Sequence, residues 1–70
     1  MNKKILTNRE KEVFDLLVQN NTTKEIAQKL NISEKTVRNH ISNVIGKLGV
    51  TSRTQAILQL LRHNVIKIDK

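Results

Sequence analysis

The sequence predicts an all-α domain of four helices with a central helix-turn-helix, and three features predict it. Four helix-start signals punctuate the 70 residues. Apolar residues at helical spacing follow each of them. Proline is absent and glycine occurs only at 46 and 49, so nothing interrupts the intervals between the signals.

The elements follow in order. Thr7-Asn8-Arg9-Glu10 reads as a capping box and opens a helix over 8–19, with Val13, Phe14, Leu16 and Leu17 on its buried face. Asn20-Asn21 is a stop, because Asn tolerates the left-handed backbone conformation. Thr22-Thr23-Lys24-Glu25 is a second box and opens a helix over 23–30, with Ile26, Ala27 and Leu30 inward. After the short turn Asn31-Ile32-Ser33, Ser33 caps a third helix over 34–48 and Glu34 places an acid in its first turn. Gly49 suits its end. Ser52-Arg53-Thr54-Gln55, a third box, opens a helix over 53–63. The tail Val65-Ile66-Lys67-Ile68 alternates, but four residues do not make a sheet. Two helices joined by so short a turn form a helix-turn-helix unit, and the steep crossing leaves one face of the third helix free.

Charge points to a polyanion. The chain carries 13 Lys and Arg against 6 Asp and Glu, a formal net charge of +7. Residues 1–34 hold six basic and five acidic side chains, whereas residues 35–68 hold six basic and none acidic. A stretch of that length without one acid fits a surface that faces nucleic acid better than a solvated surface of mixed charge. Other classes fall away. There is no cysteine, so no disulfide or thiolate metal site exists. His40 and His63 are too far apart in the chain to read as a zinc-ligand pair. No apolar run reaches a membrane span, and Met1-Asn2-Lys3-Lys4-Ile5-Leu6 lacks the apolar stretch of a signal peptide. No nucleophile with an acid–base partner is visible, so no enzyme and no cofactor are expected. Gly46-Lys47-Leu48-Gly49 matches the GXXG of an RNA-clamping KH fold, but that fold needs strands the sequence does not offer.

With Val37 placed at zero and about 100° per residue, Val37, Ile41, Val44, Ile45 and Leu48 fall in an inward arc on the third helix. The opposite face carries Lys35, Asn39, Ser42, Asn43 and Gly46. Arg38 lies on one flank, and Thr36, His40 and Lys47 lie toward the other. Arg can pair bidentately with guanine and Asn with adenine, while Lys and hydroxyls suit phosphates. Gly46 costs about 1 kcal/mol relative to alanine inside a helix. It fits either close approach to a DNA backbone or early fraying of the helix. On the fourth helix Ala56, Ile57, Leu58, Leu60 and Leu61 span about 200°, more than a small core needs. The surplus lies at Ala56 or Leu58.

Leu6-Thr7 with Arg9-Glu10, Lys24-Glu25-Ile26-Ala27, Leu30, Ile32-Ser33, Thr36-Val37-Arg38, His40, Lys47-Leu48, Val50 and Arg53 together resemble the LuxR/FixJ-type DNA-binding domain, over residues 5–66. The resemblance implies a bacterial transcription regulator in the cytoplasm, associated with the nucleoid, that binds double-stranded DNA as a homodimer. It implies base-reading roles for Arg38, Asn39 and Ser42. It implies phosphate contacts around Thr23, Lys24, Lys35, Thr36, His40, Asn43 and Lys47. It implies a dimer held largely by the fourth helix, with Ala56, Leu58, Gln59 and Arg62 as its contacts, and an ion pair between Glu10 and Arg53. Many members have proline where Asn8 stands, glycine where Asn20 stands and a basic residue near Ser42 or Gly46, so the preferred DNA sequence does not carry over. In many members the domain is the output half of a larger protein; here Met1 precedes the first capping box closely, so one domain over 1–70 is expected, either a stand-alone regulator, which the resemblance favours, or an excised output domain. Two rivals remain: a module that docks on RNA polymerase or another regulator without its own DNA site, and a helix-turn-helix of the sigma-factor type.

Overall fold

The computed structural model describes residues 5–68. Four α-helices run in order: α1 (Asn8–Val18), α2 (Thr23–Leu30), α3 (Glu34–Leu48) and α4 (Arg53–Arg62). No strand occurs among the described residues, and the tail at 65–68 is irregular. The terminal residues 1–4, where the absence of a signal peptide was read, lie outside the described residues.

Each helix begins on a hydroxyl. Thr7 Oγ1 accepts from Glu10 N–H at 3.1 Å, and Glu10 Oε1 accepts in return from Thr7 N–H at 3.0 Å. Thr22 and Glu25 repeat the arrangement at 3.1 and 2.8 Å. Ser33 Oγ accepts from Thr36 N–H at 3.0 Å. The box expected at Ser52 is half formed. Ser52 Oγ accepts from Gln55 N–H, but Gln55 Oε1 turns back one residue further and accepts from the N–H and Oγ1 of Thr51 at 3.0 and 2.9 Å. The longer reach lets one amide oxygen satisfy two donors of the preceding loop.

Each helix also ends in one way. Asn20, Asn31, Gly49 and Asn64 take positive φ of 58° to 70°. The N–H after each then bonds back to a carbonyl of the last turn: Asn21 to Leu16, Ile32 to Ala27, Val50 to Ile45 and Val65 to Leu60. These bonds satisfy carbonyls that a helix end leaves orphaned. Asn and Gly are the residues that adopt this conformation at least cost. At three of the four ends the next residue, Ile32, Val50 or Val65, is apolar and folds back onto the core.

The helices enclose one core of Leu6, Val13, Phe14, Leu17, Ile26, Ala27, Val37, Ile41, Val44, Ala56, Leu60, Val65 and Ile66. α3 packs against each of the other three helices, so its inward arc forms the floor of the domain. Val37, Ile41 and Val44 are buried there, with Ile45 and Leu48 at the margin. Ala56 is 0% exposed, which corrects the expectation that it forms a dimer contact. The small side chain lets α4 approach the core, and no surface is left for a second chain. Val65 and Ile66 cover the core, whereas Ile68 is exposed.

Among the described residues one charged side chain lies inside this frame. Glu10 is only 3% exposed. Its Oε1 accepts from Lys47 Nζ as well as from the Thr7 N–H, and the same ammonium donates to the Ile5 carbonyl at 3.2 Å. The partner expected for Glu10 was Arg53. Arg53 is instead exposed at the first turn of α4, and the lysine on α3 takes the carboxylate. No buried side-chain nitrogen or oxygen among the described residues lacks a partner.

Burial alone would raise the Glu10 pKa. The hydrogen bonds from Lys47 and Thr7 and the lysine's charge outweigh it, and the carboxyl titrates below the ordinary value. The folded state therefore binds this proton less readily than the unfolded chain. Glu10 contributes stability at pH values above the ordinary carboxylate range and loses it as the pH falls through the lower folded-state pKa. Glu10→Ala removes both the cap's return bond and the lysine's partner, and should cost about 1–3 kcal/mol. Glu10→Gln keeps an acceptor, should cost less, and should flatten the acid limb of stability. Urea titrations of the three proteins between neutral and acid pH measure both effects.

Candidate nucleic-acid interface

α3 turns its core face inward and the rest of its surface to solvent. Lys35, Arg38, Asn39, Ser42, Asn43, Gly46 and Lys47 are exposed along it, and Thr36 and His40 are half-buried on its flank. Lys24 is exposed at the start of α2, and Thr23 beside it is half-buried. The three expected base readers, Arg38, Asn39 and Ser42, thus share the exposed side of one helix. Five of the seven expected phosphate contacts lie on that same helix, and the other two open the helix before it. The first-turn N–H groups and the positive dipole end of α3 add to an anion-attracting surface there.

Charge on this surface is only partly neutralised. Among the described residues Lys24 and Lys35 have no carboxylate partner. Arg38 has one: its Nη1 lies 3.7 Å from Glu34 Oε1, one turn back on α3, and both side chains are about half in solvent. A surface pair of this kind is worth well under about 1 kcal/mol, so it orients Arg38 without locking it. Lys47 differs from the other cations. Two of its three N–H donors are committed to Glu10 and Ile5, which leaves at most one for a phosphate. Its first role is to hold α3 to the start of α1, and sequence reasoning missed that role. Lys47 and Glu10 are 37 residues apart, and no local periodicity connects them.

Polar side chains on the margin brace one another. Thr36 Oγ1 lies 2.9 Å from Ser33 Oγ, which ties it to the cap of its own helix. Asn21 Nδ2 donates to the Leu16 carbonyl, and Asn21 Oδ1 accepts from Lys29 Nζ at 2.7 Å, joining the end of α1 to α2. Gly46 lies inside a helix that continues to Leu48, so early fraying is not the reason for it. Its φ is not positive, and a Cβ built there would meet nothing within 4 Å. The fold of this chain places no demand for glycine at that position.

A second surface lies on α4. Leu58 is 53% exposed, and Val50, Gln55, Gln59, Arg62 and His63 line a shallow groove with it. Leu58, Gln59 and Arg62 are three of the four residues expected at a dimer contact, and the structure brings them together. No group of three metal-ligating side chains and no helix long and apolar enough to cross a membrane occurs among the described residues.

Comparison with known proteins gives one answer. A family model described as bacterial regulatory proteins, luxR family, matches residues 4–60. The spore germination protein GerE of Bacillus subtilis (strain 168) is 62% identical over 66 residues, which cover 94% of this chain and 89% of that one. The transcriptional regulatory protein DegU of Brevibacillus brevis is 42% identical over 64 residues, 91% of this chain but 27% of DegU. A solved structure of the transcription factor GerE superposes with a TM-score of 0.91 at 60% identity, covering 93% of this chain and 97% of that one.

Gly46→Ala should stabilise the isolated domain by up to about 1 kcal/mol, because the methyl group enters open space and restricts the unfolded chain. Thermal unfolding of the two proteins measures this. An unchanged or lower melting temperature would mean that the helix around Gly46 has a local requirement for it.

Proposed function

The chain belongs to the LuxR family of bacterial regulatory proteins, and we propose that it regulates transcription by binding duplex DNA sequence-specifically as a dimer, with α3 in the major groove. The observation that carries the reading is the exposed face of α3, where Arg38, Asn39 and Ser42 lie together on a rigid, core-anchored helix. Its first turns enter the groove, as recognition helices of this motif do. Arg38 pairs with a guanine edge, Asn39 with an adenine edge, and the Ser42 hydroxyl assists. Lys24, Lys35, Thr23, Thr36, His40 and Asn43 bond phosphates and set the register, with the spare N–H of Lys47 as a further donor. The site of action is the bacterial cytoplasm, at the nucleoid.

The α4 groove supplies the two-fold contact. Leu58 is the anchor, with Gln59 and Arg62 at the rim. An isologous contact of this kind presents two copies of α3 to half-sites about one helical turn apart. The family relatives differ in how much else they carry. This chain corresponds to most of GerE and to about a quarter of DegU.

Selection from a randomised duplex library tests the whole reading, and enrichment of a two-fold-related motif is the expected result. Binding without enrichment would sink it and favour a module that docks on RNA polymerase or another regulator. Two substitutions then divide the roles. Arg38→Ala should cost about 1–3 kcal/mol on the selected site and relax the preference at one base pair. An equal loss on every sequence would remove Arg38 from base reading. Leu58→Arg should change folding stability by no more than about 0.5 kcal/mol, because the side chain is half in solvent. It should nevertheless abolish dimers in sedimentation and leave only weak half-site binding.

A further inference from the structure

We propose that Glu34 is a specificity-determining residue, a carboxylate that keeps the Arg38 guanidinium from binding phosphate on the wrong DNA. The inference rests on the sequence-specific DNA reading above. Glu34 is the last acid before a stretch of 34 residues that has none, and it is the first residue of the recognition helix. It is exposed there, one turn from Arg38 and 3.7 Å from its Nη1. An acid in the first turn of a helix is favoured by the helix dipole. That explains its tolerance by the fold. It does not explain an acid on the surface that must approach a polyanion, where each negative charge opposes binding.

The pairing with Arg38 supplies a reason. A free Arg at this position can reach the nearest phosphate on any duplex and contributes affinity without discrimination. With Glu34 beside it, the guanidinium already has a carboxylate. A single phosphate exchanges one anion for another and gains little. A guanine edge offers two acceptors, O6 and N7, in the plane of the fork, and it can be engaged by two N–H groups while a third stays toward Glu34. The pair is loose and solvent-exposed, as an exchangeable contact must be. Glu34 thus acts through Arg38 as a positioning residue, and its effect lies in the ratio of specific to non-specific affinity.

The experiment is a double-mutant cycle on that ratio. The dissociation constants of the wild-type chain, Glu34→Gln, Arg38→Ala and the double variant are measured on two duplexes of equal length. One carries the site the wild-type chain selects from a random library, and the other carries its shuffled sequence. Circular dichroism melts verify that all four fold. Glu34→Gln should tighten binding to the shuffled duplex by roughly two- to fivefold. It should tighten the selected site less or not at all, so that the ratio falls. In the Arg38→Ala background the same substitution should move both duplexes equally and leave the ratio unchanged. An equal shift on both duplexes with Arg38 present would reduce Glu34 to a general repulsive charge and overturn the proposal. So would a fall in the ratio that persists without Arg38. If the wild-type chain selects no sequence, the reading beneath the proposal fails first, and that result is separate from either of these.

Discussion

The Glu10 carboxylate is the constraint on which the rest of this small domain depends. One oxygen accepts from the first cap of the chain and from a lysine on α3, and the same lysine bonds the backbone ahead of α1. Burying a carboxylate without partners costs several kcal/mol, so the pair is stable only when all three segments are in place. That conditionality gives the pair its structural value. A pair of this kind contributes little net free energy compared with apolar packing, but it penalises any arrangement in which α3 slides along or rolls about its axis. The proposed base-reading role of α3 would need that kind of restraint, because a shift of an ångström moves a bidentate contact out of reach.

The size of the chain explains why the restraint is polar. Among the described residues, thirteen buried apolar side chains, one of them aromatic, make the core. Each large one contributes roughly 1.5–3 kcal/mol by leaving water, and most of that is offset by the conformational entropy of ordering the chain. Little remains for redundancy. The hydroxyl caps, the left-handed Asn and Gly residues and the folded-back apolar residues after them each satisfy groups that a short helix cannot satisfy internally. With the ends closed locally, α3 needs only one face for the core and leaves the other to solvent. The candidate interface is thus the complement of the packing: it consists of what the core does not use.

The Glu34–Arg38 and Glu10–Lys47 pairs use the same chemistry to opposite ends. One is half in solvent and local, and it exchanges partners easily. The other joins distant segments and is closed on the carboxylate side. The partners that the fold brings to a cation decide whether it stays available to a ligand, and the residue type does not. Lys35 and Lys47 sit on the same helix with the same side chain, yet the first is a free cation among the described residues and the second is a structural one.

The amino-acid sequence by itself determined the helices, their boundaries to within a residue or two, and which face of the first three is buried. These follow from local rules: a hydroxyl three residues before its N–H partner, an Asn or Gly that accepts positive φ, and apolar spacing near 3.6 residues. It also placed Arg38, Asn39 and Ser42 on one exposed side, because helical periodicity alone sets that. Tertiary structure decided what periodicity cannot reach. It gave Glu10 to Lys47 and left Arg53 in solvent. It enclosed Ala56 and left Leu58 outside, although both stand on the same wide apolar arc. It sent Gln55 back to Thr51 and closed the core with Val65 and Ile66 from an irregular tail. In each case the outcome depends on where another segment comes to rest. The free energy that selects it is burial and pairing across the fold, which no window of neighbouring residues contains.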